Sequence, residues 1–278
     1  MDEINKINEA VGFIRARHAH PVEVGVILGS GLGGFIEHAE VTTEISYADI
    51  PHFPVSTVEG HGGKLILGKV GDKSVVIMSG RFHYYEGYTA QEVVFPVRVM
   101  QALGAQYLFV SNAAGGVNPG FKVGDLMIIK DHISFSIVNP LLGKNIAALG
   151  PRFPDMSEPY SKALISKAYE VASALGYSLR EGIYYGVTGP TFETRAEYKM
   201  IHLMGADAVG MSTVQEVIAA IHCGMTVFAM SVITDLGIRA EDNIITHQEV
   251  LDAANIAAPK LTSIFKTMIE TLDLASTN

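Results

Sequence analysis

Tryptophan is absent and cysteine occurs once, as Cys223, in a chain of 278 residues. A single thiol forbids an internal disulfide and cannot build a cysteine-rich metal site. Charge is scarce too: Asp, Glu, Lys and Arg make up 18% of the residues, and 20 Lys+Arg stand against 29 Asp+Glu, a formal charge of −9. At that balance a surface repels nucleic acid unless it carries a basic stripe, and the sequence has none, so no nucleic-acid partner is expected. No segment has the ~18 uncharged apolar residues that a membrane span requires. The best candidate, residues 213–234, is broken by Gln215, Glu216 and His222. Met1-Asp2-Glu3-Ile4-Asn5-Lys6 lacks the basic-then-apolar pattern of a signal peptide. These absences predict a soluble, cytoplasmic protein with no membrane partner.

Apolar residues, by contrast, make up 48% of the chain, with a mean hydropathy of +0.26. That excludes disorder and implies more buried surface than a monomer usually has, including subunit contacts. The length is near the upper limit for one hydrophobic core, and no linker or repeat interrupts it, so a single domain over residues 1–278 is expected. Ile4, Ile7, Val11 and Ile14 form one face of a first helix. Runs of strand composition follow at 22–28, 64–70, 73–79, 106–112, 125–134, 183–187 and 226–234. Helical stretches lie at 89–103, 161–175, 194–204, 213–223 and 246–272. Near-continuous apolar strands alternating with helices predict an α/β fold: a mixed, mostly parallel sheet flanked by helices on both faces. Residues 138–159, rich in Gly, Pro and Asn, take no element, and such segments are more often functional than idle.

Four helices open with a Thr-x-x-Glu capping box: Thr89/Glu92, Thr194/Glu197, Thr213/Glu216 and Thr246/Glu249. In open α/β sheets ligands bind beyond the carboxyl ends of strands, beside helix N-termini. The residues just before these caps are therefore candidates: Arg81, His83 and Tyr85, then Glu193, then Met211 and Ser212, then Asp235.

Five motifs carry chemistry. Gly29-Ser30-Gly31-Leu32-Gly33-Gly34 follows a strand, and its backbone N–H groups and Ser30 hydroxyl suit an oxyanion. It also satisfies G-x-G-x-x-G formally, but residues 35–50 lack the strand ending in an acidic residue that a dinucleotide site needs, and Asp49 falls in a turn. Gly80-Arg81-Phe82-His83-Tyr84-Tyr85-Glu86-Gly87 offers a guanidinium fork and an imidazole for one anion, or else an Arg–Glu surface pair with aromatic packing. Ser111-Asn112-Ala113-Ala114-Gly115-Gly116 leaves backbone exposed directly after a strand. In Gly189-Pro190-Thr191-Phe192-Glu193-Thr194 an aromatic face adjoins a carboxylate, a pairing for a flat heterocycle with N–H donors, although Phe192 alone could be core. Gly205–Thr213, with Val209, Met211 and Ser212, is the fifth.

In this order and spacing the motifs resemble the trimeric purine nucleoside phosphorylase family over residues 24–250. The resemblance implies a nucleoside phosphorylase-like fold and phosphorolysis of inosine, guanosine and their 2′-deoxy forms to free base and (deoxy)ribose 1-phosphate. It implies no metal and no organic cofactor, inorganic phosphate being a co-substrate. Phosphate would meet Ser30, Arg81, His83, Ala113 and Ser212, with His61 in a glycine-rich loop as a further contact. The sugar would meet Tyr85, Met211 and His247, and Phe153, in Arg152-Phe153-Pro154, would come from the neighbouring subunit of a homotrimer. The base would lie among Ala114, Phe192, Glu193, Val209, Thr234 and Asp235. His83, Glu193, Asp235 and His247 are the catalytic candidates. Phosphate itself attacks C1′ of an oxocarbenium-like sugar, so no protein nucleophile is needed. Cys223 is read as core, and His132, His202 and His222 as structural.

One position departs from the family. Its 6-oxopurine enzymes carry asparagine where this sequence has Asp235, and an ionised aspartate only accepts hydrogen bonds. Either Asp235 is protonated, or a water serves O6, or a 6-amino group is the donor. Adenosine or methylthioadenosine phosphorolysis is thus the alternative. Methylthioadenosine phosphorylases share the aspartate but lack a counterpart of Glu193. From another class, a non-catalytic nucleoside-binding protein would keep Phe192 and Glu193 without needing Ser30, Arg81, His83 and Ser212.

Overall fold

Asp2 caps the first helix, accepting from the Asn5 N–H at 2.8 Å. α1 (Glu3–Arg15) then buries Ile7, Val11 and Ile14, the apolar face legible in the sequence. The computed structural model describes residues 2–55, 62–238 and 246–273. His61 lies outside them. Among the described residues no helix is long and apolar enough to cross a membrane.

The apolar runs become β1 (Val24–Ile27), β3 (Lys64–Val70), β4 (Lys73–Ser79), β5 (Tyr107–Gly116), β6 (Leu126–Ile133), β7 (Arg180–Gly186) and β9 (Thr226–Leu236). Two further strands, β2 (Glu40–Ser46) and β8 (Ala208–Gly210), were not expected. β2 is an edge strand with only Ile45 buried, so it lacks an apolar signal. It pairs antiparallel with β3, and what precedes it is a 3₁₀ turn at Gly33–His38. A strand does lie within 35–50, therefore, but not in the βαβ setting of a dinucleotide site.

The strands form one sheet in the order β2-β3-β4-β1-β5-β8-β7-β6-β9. β9 also pairs with β5, which closes the last five strands into a ring. The expected open sheet is thus half open and half barrel. The ladders β1·β4, β1·β5, β5·β9, β6·β7 and β7·β8 are parallel, and β2·β3, β3·β4, β5·β8 and β6·β9 antiparallel.

The helices α2 (Ala90–Leu103), α3 (Lys162–Ala174), α4 (Arg195–Leu203), α5 (Val214–His222) and α6 (His247–Glu270) cover this sheet. Alternation along the strands feeds both faces. Val76 and Met78 of β4, with Leu108 and Val110 of β5, join the core under α1, α2 and α5. Val75 and Ile77, with Tyr107 and Phe109, join the core under α3 and α6. Each such side chain stabilises the fold by about 1.5–3 kcal/mol on full burial. His132 of β6 is structural as expected: Nδ1 lies 3.0 Å from the Tyr160 hydroxyl, and burial lowers its pKa to about 4.

Two features of this topology position the site. β5 continues through Gly115 and Gly116, which the sequence placed in a loop, because both residues pair with β8 and β9 at once. A β-carbon on Gly115 would sit 3.0 Å from Asp235 Oδ2, so glycine here gives the aspartate of β9 room beside β5. β8 runs antiparallel to the end of β5, so the chain leaving it returns alongside β5. Asn112 Nδ2 there donates to Thr213 Oγ1 at 2.9 Å.

Candidate active site

Arg81 follows β4 and is 1% exposed. Its guanidinium is satisfied from several elements: Nη1 donates to Ser212 Oγ at 2.7 Å and Thr213 Oγ1 at 3.1 Å. Nη2 donates to the Ser111 carbonyl at 2.7 Å, and Nε lies 3.5 Å from Glu216 Oε1. Beneath it the buried Tyr47 hydroxyl donates to the Gly80 carbonyl at 2.8 Å. Burial pushes the Tyr47 pKa well up against the pull of Arg81, so the phenol stays neutral. The planar fork makes this multi-point fit possible where a lysine could not.

Thr213, beside it, has φ 74° and ψ −53°. Val214 N–H donates to the Ser212 carbonyl at 2.8 Å, which makes Thr213 the centre of a strained γ-turn, rare for a β-branched residue. Such a conformation costs about 1–3 kcal/mol and persists only where its surroundings over-determine it. They do so here. The hydroxyl is held by Arg81 and Asn112, and the N–H donates to Glu216 Oε2 at 2.9 Å. The capping boxes at Thr89, Thr194 and Thr246 form as expected. At Thr213 the carboxylate half forms, while the hydroxyl turns to Arg81.

His83 is oriented by Glu86: its backbone N–H donates to Glu86 Oε1 at 2.8 Å and Nδ1 lies 2.9 Å from the same oxygen, which sets the imidazole in the cavity wall. Its ring stacks on Tyr85 at 4.6 Å and 16°. Burial, then the Glu86 charge, pushes the Tyr85 phenol up to about 12, which keeps it a neutral hydrogen-bonding group.

These groups share one cavity of about 340 Å³ with Ser30, Ala113, Ala114, Phe192, Glu193, Val209, Met211, Ser212, Thr234, Asp235 and His247. They come from separate motifs of the sequence, and the sheet gathers them. Phe192 is 40% exposed, which removes the core alternative and leaves its face open. Thr234 donates to the Ala114 carbonyl at 3.3 Å and to Asp235 Oδ1 at 3.2 Å. Burial raises the Glu193 pKa. Arg81 grips Ser111 and Asp235 abuts Gly115, four residues on along β5. At ~3.3 Å per residue these two points on β5 are ~13 Å apart.

Phe153 is not in the cavity. It is 88% exposed, with the Arg152 guanidinium 5.7 Å above its ring. Arg152 is itself fixed by donation to the Gly143 carbonyl at 2.8 Å. Tyr198 lines the cavity and was missed, as were the supports Glu86, Thr213 and Glu216. Glu86 lay in plain view in the Arg81 motif, and Thr213 and Glu216 were read only as a cap.

Residues 23–270 match the model of the phosphorylase superfamily. The chain is 53% identical to purine nucleoside phosphorylase 1 of Geobacillus stearothermophilus over 88% of its length and 90% of that protein. Isoform 2 of the Schistosoma mansoni purine nucleoside phosphorylase, solved in complex with cytosine and ribose-1-phosphate, superposes with a TM-score of 0.93 at 42% identity, covering 97% of each chain. The Schistosoma mansoni enzyme in complex with adenosine gives 0.92 at 40%, covering 97% of this chain and 98% of that one.

Removing one partner of a buried ion pair strands the other charge. Glu216→Gln is therefore expected to lower stability by about 3–5 kcal/mol in denaturant unfolding, although Glu216 does not line the cavity. A loss below about 1 kcal/mol, the scale of an exposed pair, would show that Arg81 does not depend on it.

Proposed function

The chain belongs to the phosphorylase superfamily, and we propose that it is a purine nucleoside phosphorylase that works as follows. Inorganic phosphate sits on Arg81, Ser30, Ser212, the Ala113 N–H and Nε2 of His83. The purine lies on Phe192 between Val209 and Ala114, with Glu193, Thr234 and Asp235 at its edge. Tyr85, the Met211 backbone and His247 hold the sugar between them. The observation that carries this reading is the separation of an arginine-centred anion site from an aromatic–carboxylate site along β5 within a single cavity.

As the C1′–N bond breaks, its electron pair leaves with the purine and the sugar gains oxocarbenium character. A phosphate oxygen then bonds C1′, giving the sugar 1-phosphate, and the base takes up a proton. Electrostatic stabilisation by the bound phosphate supplies the catalysis, and orientation of the reactants in one cavity reduces the entropic cost. The scheme uses phosphate and nucleoside alone, without metal or organic cofactor. A silent binding protein would have no use for the Arg81 cluster beside the base site. Glu193 accepts from N1–H, which favours 6-oxopurines. Asp235, as acceptor, opens the edge to a 6-amino group.

The exposed Phe153, held out by Arg152, fits a residue lent to a neighbouring copy in a homotrimer. A single cysteine fits a cytoplasmic location.

Base release from inosine and guanosine is expected only with phosphate, and an equal rate without it would overturn the mechanism. Asp235→Asn is expected to raise the inosine-to-adenosine ratio of kcat/KM, and identical ratios would remove Asp235 from specificity. In sedimentation equilibrium the mass should be three times the 29.9 kDa chain. Phe153→Ala should raise KM for nucleoside but not for phosphate, whereas a fully active monomer would refute the shared site.

A further inference from the structure

Tyr198 is a buried polar side chain of the cavity wall, 3% exposed, for which the reaction above has no role. Its position follows from how α4 begins. Thr194 is the N-cap, so Glu193 stands just before the cap and Tyr198 at the fourth helical position, the two places that face each other across a helix entry. Helical side chains lean toward the N-terminus, which turns the Tyr198 ring back over Glu193. Where many helices put two apolar residues in contact here, this one puts a phenol beside a carboxylate, both on the wall of the same cavity.

The ring cannot swing away. On one side it packs in a small cluster with Ile201, Ala206 and Val209, the last also a wall of the cavity. On the other, the backbone of Gly237, just beyond β9, lies flat against it, and any β-carbon there would collide with the ring. Rigid packing thus fixes the phenol at the helix entry beside Glu193.

We propose that Tyr198 is a positioning residue for purine recognition: its O–H occupies one acceptor site of Glu193 and aims the remaining oxygen at the N1–H of the base. The proposal rests on the phosphorylase reading of the cavity. Burial opposes ionisation of Glu193, as do Asp235 from β9 and Glu197 from α4, while Tyr198 and the Glu193 backbone favour it. His247 of α6 lines the same cavity. Because the O–H bonds the charged form, its loss raises the Glu193 pKa. Activity on 6-oxopurines requires the ionised carboxylate, so the acid limb of kcat/KM then moves to higher pH.

Tyr198→Phe tests this with the ring and its packing retained. The pH profile of kcat/KM for inosine is measured for the wild type, for Tyr198→Phe, and for Glu193→Gln with and without Tyr198→Phe. The expected result is an acid limb shifted to higher pH and a roughly tenfold rise in KM for inosine at neutral pH, the scale of one hydrogen bond to a charged group. The kcat and the KM for phosphate stay unchanged, and no additional effect of Tyr198→Phe appears once Glu193 is glutamine. An unmoved acid limb and KM, or the same loss in the Glu193→Gln background, would overturn the proposal. A wild-type chain that does not cleave inosine with phosphate would overturn the underlying phosphorylase reading, and the proposal with it.

Discussion

A permanently charged guanidinium buried to 1% exposure is the constraint around which the site is arranged. Left unpaired, such a charge would cost several kcal/mol, and the chain meets that cost with donors and acceptors from separate parts of the fold. Ser111 comes from β5, Ser212 and Thr213 from the exit of β8, and Glu216 from α5. Because these partners come from different elements, satisfying Arg81 fixes where β4, β5, β8 and α5 meet. The strained turn at Thr213 is held by the same contacts, so that Ser212 is presented in one orientation only.

The far end of the cavity follows a different logic. No arginine organises it among the described residues; packing does. Closure of the five-strand ring, in which β5 pairs with both β8 and β9, brings Ala114, Val209 and Asp235 together, and the entry of α4 supplies Phe192, Glu193 and Tyr198 within a few residues. The Arg81 end of the cavity is therefore organised by buried electrostatics, and the Phe192–Glu193 end by the close approach of backbones. Both groups of residues are mounted on β5, the Arg81 cluster at Ser111 and the Asp235 contact at Gly115.

Much of this was legible beforehand for a physical reason. Strands buried on both faces advertise themselves as apolar runs, and the Thr-x-x-Glu pattern announces where helices begin, so β1, β3, β4, β6, β9 and the helices could be read to within a few residues, while β5 ran on past its apolar run and β7 began before its own. β2 could not, because an exposed edge strand carries no apolar signal, and β8 could not, because three residues inside a glycine-rich motif show no period. Ring closure between β5 and β9 is a non-local pairing that no window of sequence contains. The candidate cavity residues were found as motifs, each a short chemically dense stretch. Their supports were not: Glu216 and Thr213 looked like an ordinary cap, and Tyr198 looked like a residue of an amphipathic helix until the backbone of Gly237 proved to lie against it. Phe153 showed the converse, a motif residue that this chain's own cavity does not contain.

The central claim is that the buried fork of Arg81 creates the phosphate end of the cavity. Steady-state kinetics of Arg81→Lys, with phosphate and inosine varied independently, test it directly. Lysine keeps the charge opposite Glu216 but cannot make the multi-point contacts. The account predicts a rise of at least about tenfold in KM for phosphate, one charge-assisted contact or more, with KM for inosine nearly unchanged. An unaltered phosphate KM, or an equal rise for both substrates, would contradict it.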